Sequence, residues 1–371
     1  MLELISNTLS FNFPEVHPAA RVGIVLHRTL RIPDDDKTYP LPPSLGSFPV
    51  RHIEDFKARL PEKWLKRGGV MIPLFQSEAA WISFQPNHDP ATGKPYPFAI
   101  KVAAGKQSAI TGKEWSKKLK EKDYVVAPPQ PWIDGYVVEE GLIRQFVAMP
   151  LGGGFTVEEQ LTGKAEFGGI QLEVIPMKRS EYDRRFPKLP PRPVMRTRSM
   201  MRGQSLIGES NAKGGFESMS FGDDFAPVAA AASYNCVELC EVSEMGMGAG
   251  GRMKQQIFDD PYGLSNWDTD HKTRCFVHLA NSMLWRRITS EDPPHPPLTA
   301  ADYTSRGFPW YDHYSDGPTL KGGKKLQGIK TVKEIGQQKG VPSLPENTPL
   351  APHNILMVTT LGKQVKDGVW K

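Results

Sequence analysis

Asp268, Asp270 and His271, with Cys275 and His278 close behind, bring hard and borderline ligands into one short stretch. Carboxylate and imidazole together suit a divalent metal. Asp312 and His313, with Asp316 nearby, form a second such group beside Trp310 and Tyr311. If the two groups met in space, Asp268, Asp270, His271, His278, Asp312 and His313 would make a metal-dependent enzyme site. Taken singly, Asn266, Asp268 and Asp270 are ordinary turn residues, whose short side chains bond the nearby backbone. The Asp268-x-Asp270 spacing matches half of a calcium loop, but Thr273 stands where that loop needs its glycine.

The run Gly246-Met247-Gly248-Ala249-Gly250-Gly251 offers a different chemistry. With Arg252 and Lys254, the amides of Gly248, Gly250 and Gly251 would cradle an anion or nucleotide phosphate. The spacing is not the G-x-G-x-x-G of a dinucleotide fold, and no Walker lysine follows. A tight turn between two strands is the plainer expectation, and the same holds for Gly152-Gly153-Gly154. Cys236 and Cys240 are too far apart for a C-x-x-C pair, and no second pair follows. Cys275 and His278 fall on opposite faces if one strand holds both, which argues against a nucleophile and base. No G-x-S-x-G is present. Glu78, Glu139, Glu140, Glu158 and Glu159 have the right type for acid–base work, but one sequence does not show which of them face each other. Arg192, Arg196, Arg198 and Arg202 have no acid among them, which suits a solvated segment or a protein partner. No aromatics interleave with them, so nucleic-acid stacking is not supported.

Strands must position most of these residues. Period-two alternation marks Asn7 to Phe13, Val22 to Ile32, Gly168 to Ile175 and Arg274 to Leu279. Apolar runs mark Val70 to Phe75, Ala79 to Phe84, Phe98 to Ala103, Leu142 to Met149 and Ile355 to Val358. Met253 to Phe258 and Cys236 to Glu241 also alternate. Ala104-Gly105-Lys106-Gln107 suits a hairpin turn. Short helices are expected around Pro61, after Thr156, from Asn281 to Ile288, after Thr299 and across Lys330 to Gln338. Lys113 to Lys122 reads as a solvated helix face carrying Trp115 and Leu119. Phe308, Trp310, Tyr311 and Tyr314 are grouped closely enough to line a groove or an interface.

From 187 to 232 no apolar period survives, which predicts a long irregular excursion. It separates a β-rich unit, 1–186, from a second α+β unit, 233–371, unless both belong to one fold. The chain has 34 Gly and 34 Pro in 371 residues, enough to disfavour a helical bundle. The expectation is an α+β protein, mainly antiparallel, with sandwich-like sheets and short peripheral helices. A net charge of +5 over this length does not demand a nucleic-acid partner. Three cysteines, no secretory signal and no long apolar run point to a soluble protein of the cytoplasm, without a membrane partner.

The segments Gly68–Ala79, Arg144–Gly152, Gly250–Ile257 and Asp260–Leu264 resemble those of an uncharacterised family of bacterial proteins. The resemblance implies a bacterial intracellular protein and brings no activity, cofactor or site. With no catalytic motif in view, the favoured expectation is a non-enzymatic binding or assembly protein. It would contact a protein partner or its own copies through strand-rich surfaces and the excursion. The metal enzyme and the anion binder are the alternatives.

Overall fold

The computed structural model describes residues 1–189, 244–314, 318–341, 347 and 349–359. Most of the 187–232 excursion, including Arg192, Arg196, Arg198 and Arg202, lies outside the described residues, as do Cys236, Cys240 and Asp316. The described chain is α+β with mostly antiparallel sheets, as its alternation predicts. Strands that build the two main sheets and the ribbon include β1 (Leu2–Ile5), β2 (Thr8–Asn12), β3 (Arg21–Thr29), β4 (Val70–Leu74), β5 (Ala79–Pro86) and β6 (Phe98–Ala104). They continue with β7 (Leu142–Pro150), β8 (Ile170–Pro176), β9 (Met245–Lys254), β10 (Thr273–Asn281), β11 (Trp310–Tyr314) and β12 (Ile355–Thr359).

Two large sheets share the long strands. The first runs β1-β2-β3-β5-β7-β9, with Thr38–Tyr39 parallel to the outer edge of β9. The second runs β6-β8-β10-β4, with β10 and β4 parallel. Alternation decides what each sheet buries. Ile24, Leu26, Ile82 and Phe84 of the first sheet meet Phe98, Ile100, Leu172 and Val277 of the second in one core. The segment after the excursion supplies β9 to one sheet and β10 to the other. Residues on both sides of the excursion therefore complete the same two sheets and the same core.

Short helices cover the outer faces. Pro61 splits its region into a 3-10 turn, Ile53–Arg59, and α1 (Glu62–Arg67). Asn281 caps α3 (Ser282–Thr289) by accepting the Leu284 amide at 2.7 Å. Trp64, Met71, Leu284, Trp285 and Ile288 form a satellite core there, whereas Met283 points outward at 64% exposure. The hairpin after β6 turns through Gly105 and Lys106, both at positive φ, as a two-residue turn of matching twist requires.

Two expectations fail for physical reasons. Lys113 to Lys122 is not a helix but an irregular cover over Lys101. Lys101 points out of β6, and that cover shields it to 2% exposure. Its Nζ donates to the Ser116 carbonyl at 2.5 Å and lies 4.3 Å from the Trp115 ring centroid. Asp123 at 3.6 Å and Glu173 at 3.9 Å complete the ion pairing. Met253 to Phe258 is not a separate strand either. The strand begins at Met245 and takes in the whole glycine run.

Removing the ammonium leaves Lys272, 3.9 Å away, as the cation paired with buried Glu173, and takes from Asp123 the cation at 3.6 Å. Lys101→Ala is expected to cost about 2–3 kcal/mol, less than the roughly 3–5 of a buried charge left wholly unpaired. Urea denaturation would show it, and Lys101→Met with Glu173→Leu should recover much of that loss.

Candidate functional site

The glycine run forms strand interior, so the expected turn is absent. β9 pairs with β7 from Met245 to Lys254, and Gly250-Gly251 oppose Gln145 at a bulge. Gly248 bridges to Thr156 and Ala249 to Thr331. These backbone groups already serve neighbouring chain segments, so the run does not form an open cradle. The glycines have a packing reason instead. A Cβ on Gly251 would stand 2.1 Å from the Pro33 carbonyl oxygen. One on Gly248 would stand 2.8 Å from Val332 Cγ2, on α4 (Val332–Gln338). Of the cations beside the run, Lys254 is engaged, its Nζ 3.8 Å from Asp312, and Arg252 lies opposite the like charge of Arg144 in register. The Gly152–Gly154 turn does gather amides around an anion, but that anion is the chain's own. Glu159, on α2 (Val157–Thr162), accepts from the amides of Gly152, Gly154 and Thr156 at 2.8–3.1 Å.

The two Asp/His groups, which would make a metal site only if they met, do not come together among the described residues. Asp268 and His271 form a local pair at 3.0 Å. His278 lies on β10, five residues beyond the strand's start at Thr273 and so roughly 17 Å along it at strand rise. There its Nε2 meets the Gly68 carbonyl at 3.0 Å, and its ring stacks on Trp64. Asp312 and His313 alternate across β11, so they face opposite ways. Asp270 remains exposed beside the Asp268 turn. Among the described residues, no three His, Cys, Asp or Glu side chains gather to hold a metal. Cys275 and His278 also part as expected. Cys275 enters the main core, and His278 faces outward beneath Trp64.

Sequence reasoning missed a polar group on the outer face of the first sheet. His27 lies opposite Trp81 in the β3–β5 register, and their rings stack at 3.9 Å. Its Nε2 meets Ser83 Oγ at 2.8 Å and its Nδ1 meets Ser44 Oγ at 3.2 Å. Burial pushes this imidazole down to about 4. A ring so weakly basic, with both nitrogens engaged, is a neutral bridge rather than an effective general base. Asp134 is also buried and accepts from Gln255 Nε2 at 2.5 Å. Burial raises its carboxyl to about 7, against the pull of Gln255 and Trp132. No local motif signals either residue, because their partners come from other strands.

β11 and β12 form a parallel ribbon with a buried strand and an exposed apolar one. β11 anchors it. Tyr311 exchanges backbone bonds with Leu41 at 2.8 and 3.0 Å. Trp310 is fully buried against Tyr303, and the His313 ring packs between Trp132 and Phe258. β12 is open. Among the described residues it pairs with β11 alone. Ile355, Leu356 and Met357 are 49, 48 and 66% exposed, although they are consecutive and so occupy both faces. The clustered Trp310 and Tyr311 thus support an apolar edge rather than line a cleft. Among the described residues, no helix is long and apolar enough to cross a membrane.

No family model matches the chain, and neither curated proteins nor solved structures give a significant match.

The Asp134 carboxyl makes a pH prediction with a definite sign. Its folded pKa is raised, so between about pH 4 and 7 the folded chain holds a proton that the unfolded chain has lost. Stability from this group is full below pH 4, falls as pH rises through 7, and then levels off. Asp134→Asn should remove that decline and stabilise the chain at pH 8 by a few kcal/mol, about 1.4 per unit. Thermal melts of both proteins from pH 4 to 9 would check it.

Proposed function

We propose that this chain is a binding and assembly protein that takes up an added strand on the open edge of β12. One observation carries the reading, which is the exposed apolar run Ile355-Leu356-Met357 on a strand with a single neighbour among the described residues. Strand edges offer unpaired amides and carbonyls, and chains usually guard them with lysine, proline or a bulge. Residues 355–359 contain no charge and no proline. Runs apolar on both faces belong to strands with neighbours on every side.

Backbone direction supports the same reading. The Trp310 amide donates to the Asn354 carbonyl at 2.7 Å. In a parallel pair, residues 354, 356 and 358 then turn their backbone groups toward β11. Residues 355, 357 and 359 turn theirs to the open edge. A partner strand thus finds main-chain bonds for affinity and the flanking side chains for selectivity, as in other strand-addition complexes. The three cysteines show no framework spacing, which supports a reducing compartment such as the cytoplasm.

A test uses an uncharged, β-prone peptide with solubilising charged ends. Its addition should slow hydrogen exchange at residues 355–359. Met357→Pro, which removes an outward amide, should abolish that protection while the exchange of β3 and β8 stays unchanged. Equal protection in both proteins would refute strand addition.

A further inference from the structure

We infer that the outer face of the second sheet, at the cover over Lys101, binds the phosphate backbone of duplex nucleic acid. None of the residues involved belongs to the β12 edge. Sequence order scatters them, and the fold collects them.

Three segments meet there. The cover, 113–122, lies over Lys101, and Glu173 and Arg274 follow Lys101 in one row across β6, β8 and β10. Lys272 Nζ donates to the Lys117 carbonyl at 2.8 Å, which ties the start of β10 to the cover. On the other side, the Gly323 amide donates to the Ile110 carbonyl at 3.2 Å. The short helix Lys324–Gln327 then packs so close that a Cβ on Gly112 would stand 3.1 Å from Lys325 Cβ. Segments 113–122, 270–274 and 321–325 carry ten Lys and Arg against three acids, Glu114, Glu121 and Asp270.

The charge of this face is not used up within the fold. Asp123 and Glu173 are buried there, and Lys101 and Lys272 already stand 3.6–3.9 Å from them. Lys113, Lys117, Lys118, Arg274, Lys324 and Lys325 are exposed, and among the described residues none of them forms an ion pair. Such a density of free cations suits an extended anion. The uncharged side chains select its kind. Among the described residues, no large apolar side chain is exposed on these segments. Protein interfaces are built on apolar and aromatic cores and are depleted in lysine. A lasting hold on a bilayer takes an apolar or lipid anchor besides basic residues. A single strand needs aromatic faces for its bases, and Trp115 is turned onto the Lys101 ammonium at 4.3 Å. A duplex backbone needs only positive charge, and lysine meets each phosphate as a point charge. Contacts of this sort position a duplex without reading its sequence.

Fluorescence anisotropy of the full chain with a labelled DNA duplex tests this. Log affinity should fall linearly with log salt, with a slope of about −4 for four or five phosphates met. A duplex of unrelated sequence and equal length should bind as well. Lys117→Glu with Lys118→Glu, and separately Lys324→Glu with Lys325→Glu, should each cut affinity by about tenfold or more at low salt. Loss in both shows that one surface spans the cover and the helix. Lys94→Glu with Lys188→Glu makes the same change in net charge outside the three segments and should leave affinity nearly unchanged. Circular dichroism should be the same for all of these proteins, because none of the altered side chains holds an ion pair among the described residues. No binding at about 50 mM salt would overturn the inference. So would an equal loss when Lys94 and Lys188 are reversed. Tighter binding to single-stranded DNA, to phosphatidylserine vesicles or to poly-glutamate than to the duplex would overturn it too.

Discussion

The pairing of Leu142–Pro150 with Met245–Lys254 holds the described architecture together. It lets one side of the excursion complete a sheet begun on the other. It also demands bare backbone. Gly246, Gly248, Gly250 and Gly251 admit Thr156, Val332, Val147 and Pro33 to distances at which a Cβ could not stay. The outer layer on this sheet can approach only because β9 carries almost no side chains there. Gln145 shows the same economy at the bulge. Its side-chain amide donates to the Leu30 carbonyl and accepts from the Ile32 amide, standing in for a missing stretch of strand.

Much of this was readable from alternation. β3, β8 and β10 bury every second side chain in the core, and that period is visible without a structure. Caps were readable too. Thr156 and Thr331 each sit three residues before the glutamate that completes a capping box. Local rules failed where a distant element decided the outcome. Glycine punctuates turns in most chains, but at Gly248 the deciding fact is Val332, more than eighty residues away. The charges of Lys113 to Lys122 suggested a solvated helix, yet Lys101 on a neighbouring strand draws that stretch flat across itself.

The chemistry was less legible than the fold for the same reason. Strand alternation turns Asp312 and His313 to opposite faces, and strand rise carries His278 away from the local Asp268–His271 pair. His27, Ser44 and Ser83, which do meet, come from three strands and form no motif. The run Ile355 to Val358 was visible as a strand. Its exposure was not, because an apolar run reads the same whether the fold covers it or leaves it open. Burial is a property of the assembled sheets. It can be assigned only once every neighbour is known.

The order in which strands join their sheets bears on synthesis. β7 and β8 wait for partners, β9 and β10, made about a hundred residues later. A ribosome that has released the first 189 residues has therefore produced two sheets with open interior edges. Closing such distant pairs is slow, because chain entropy is lost before the contacts form. During that interval the nascent chain offers β7 and β8 to any other strand in reach. Cells making this protein would then depend on chaperones, or on slow translation through the excursion, and a chain truncated before Met245 would be insoluble.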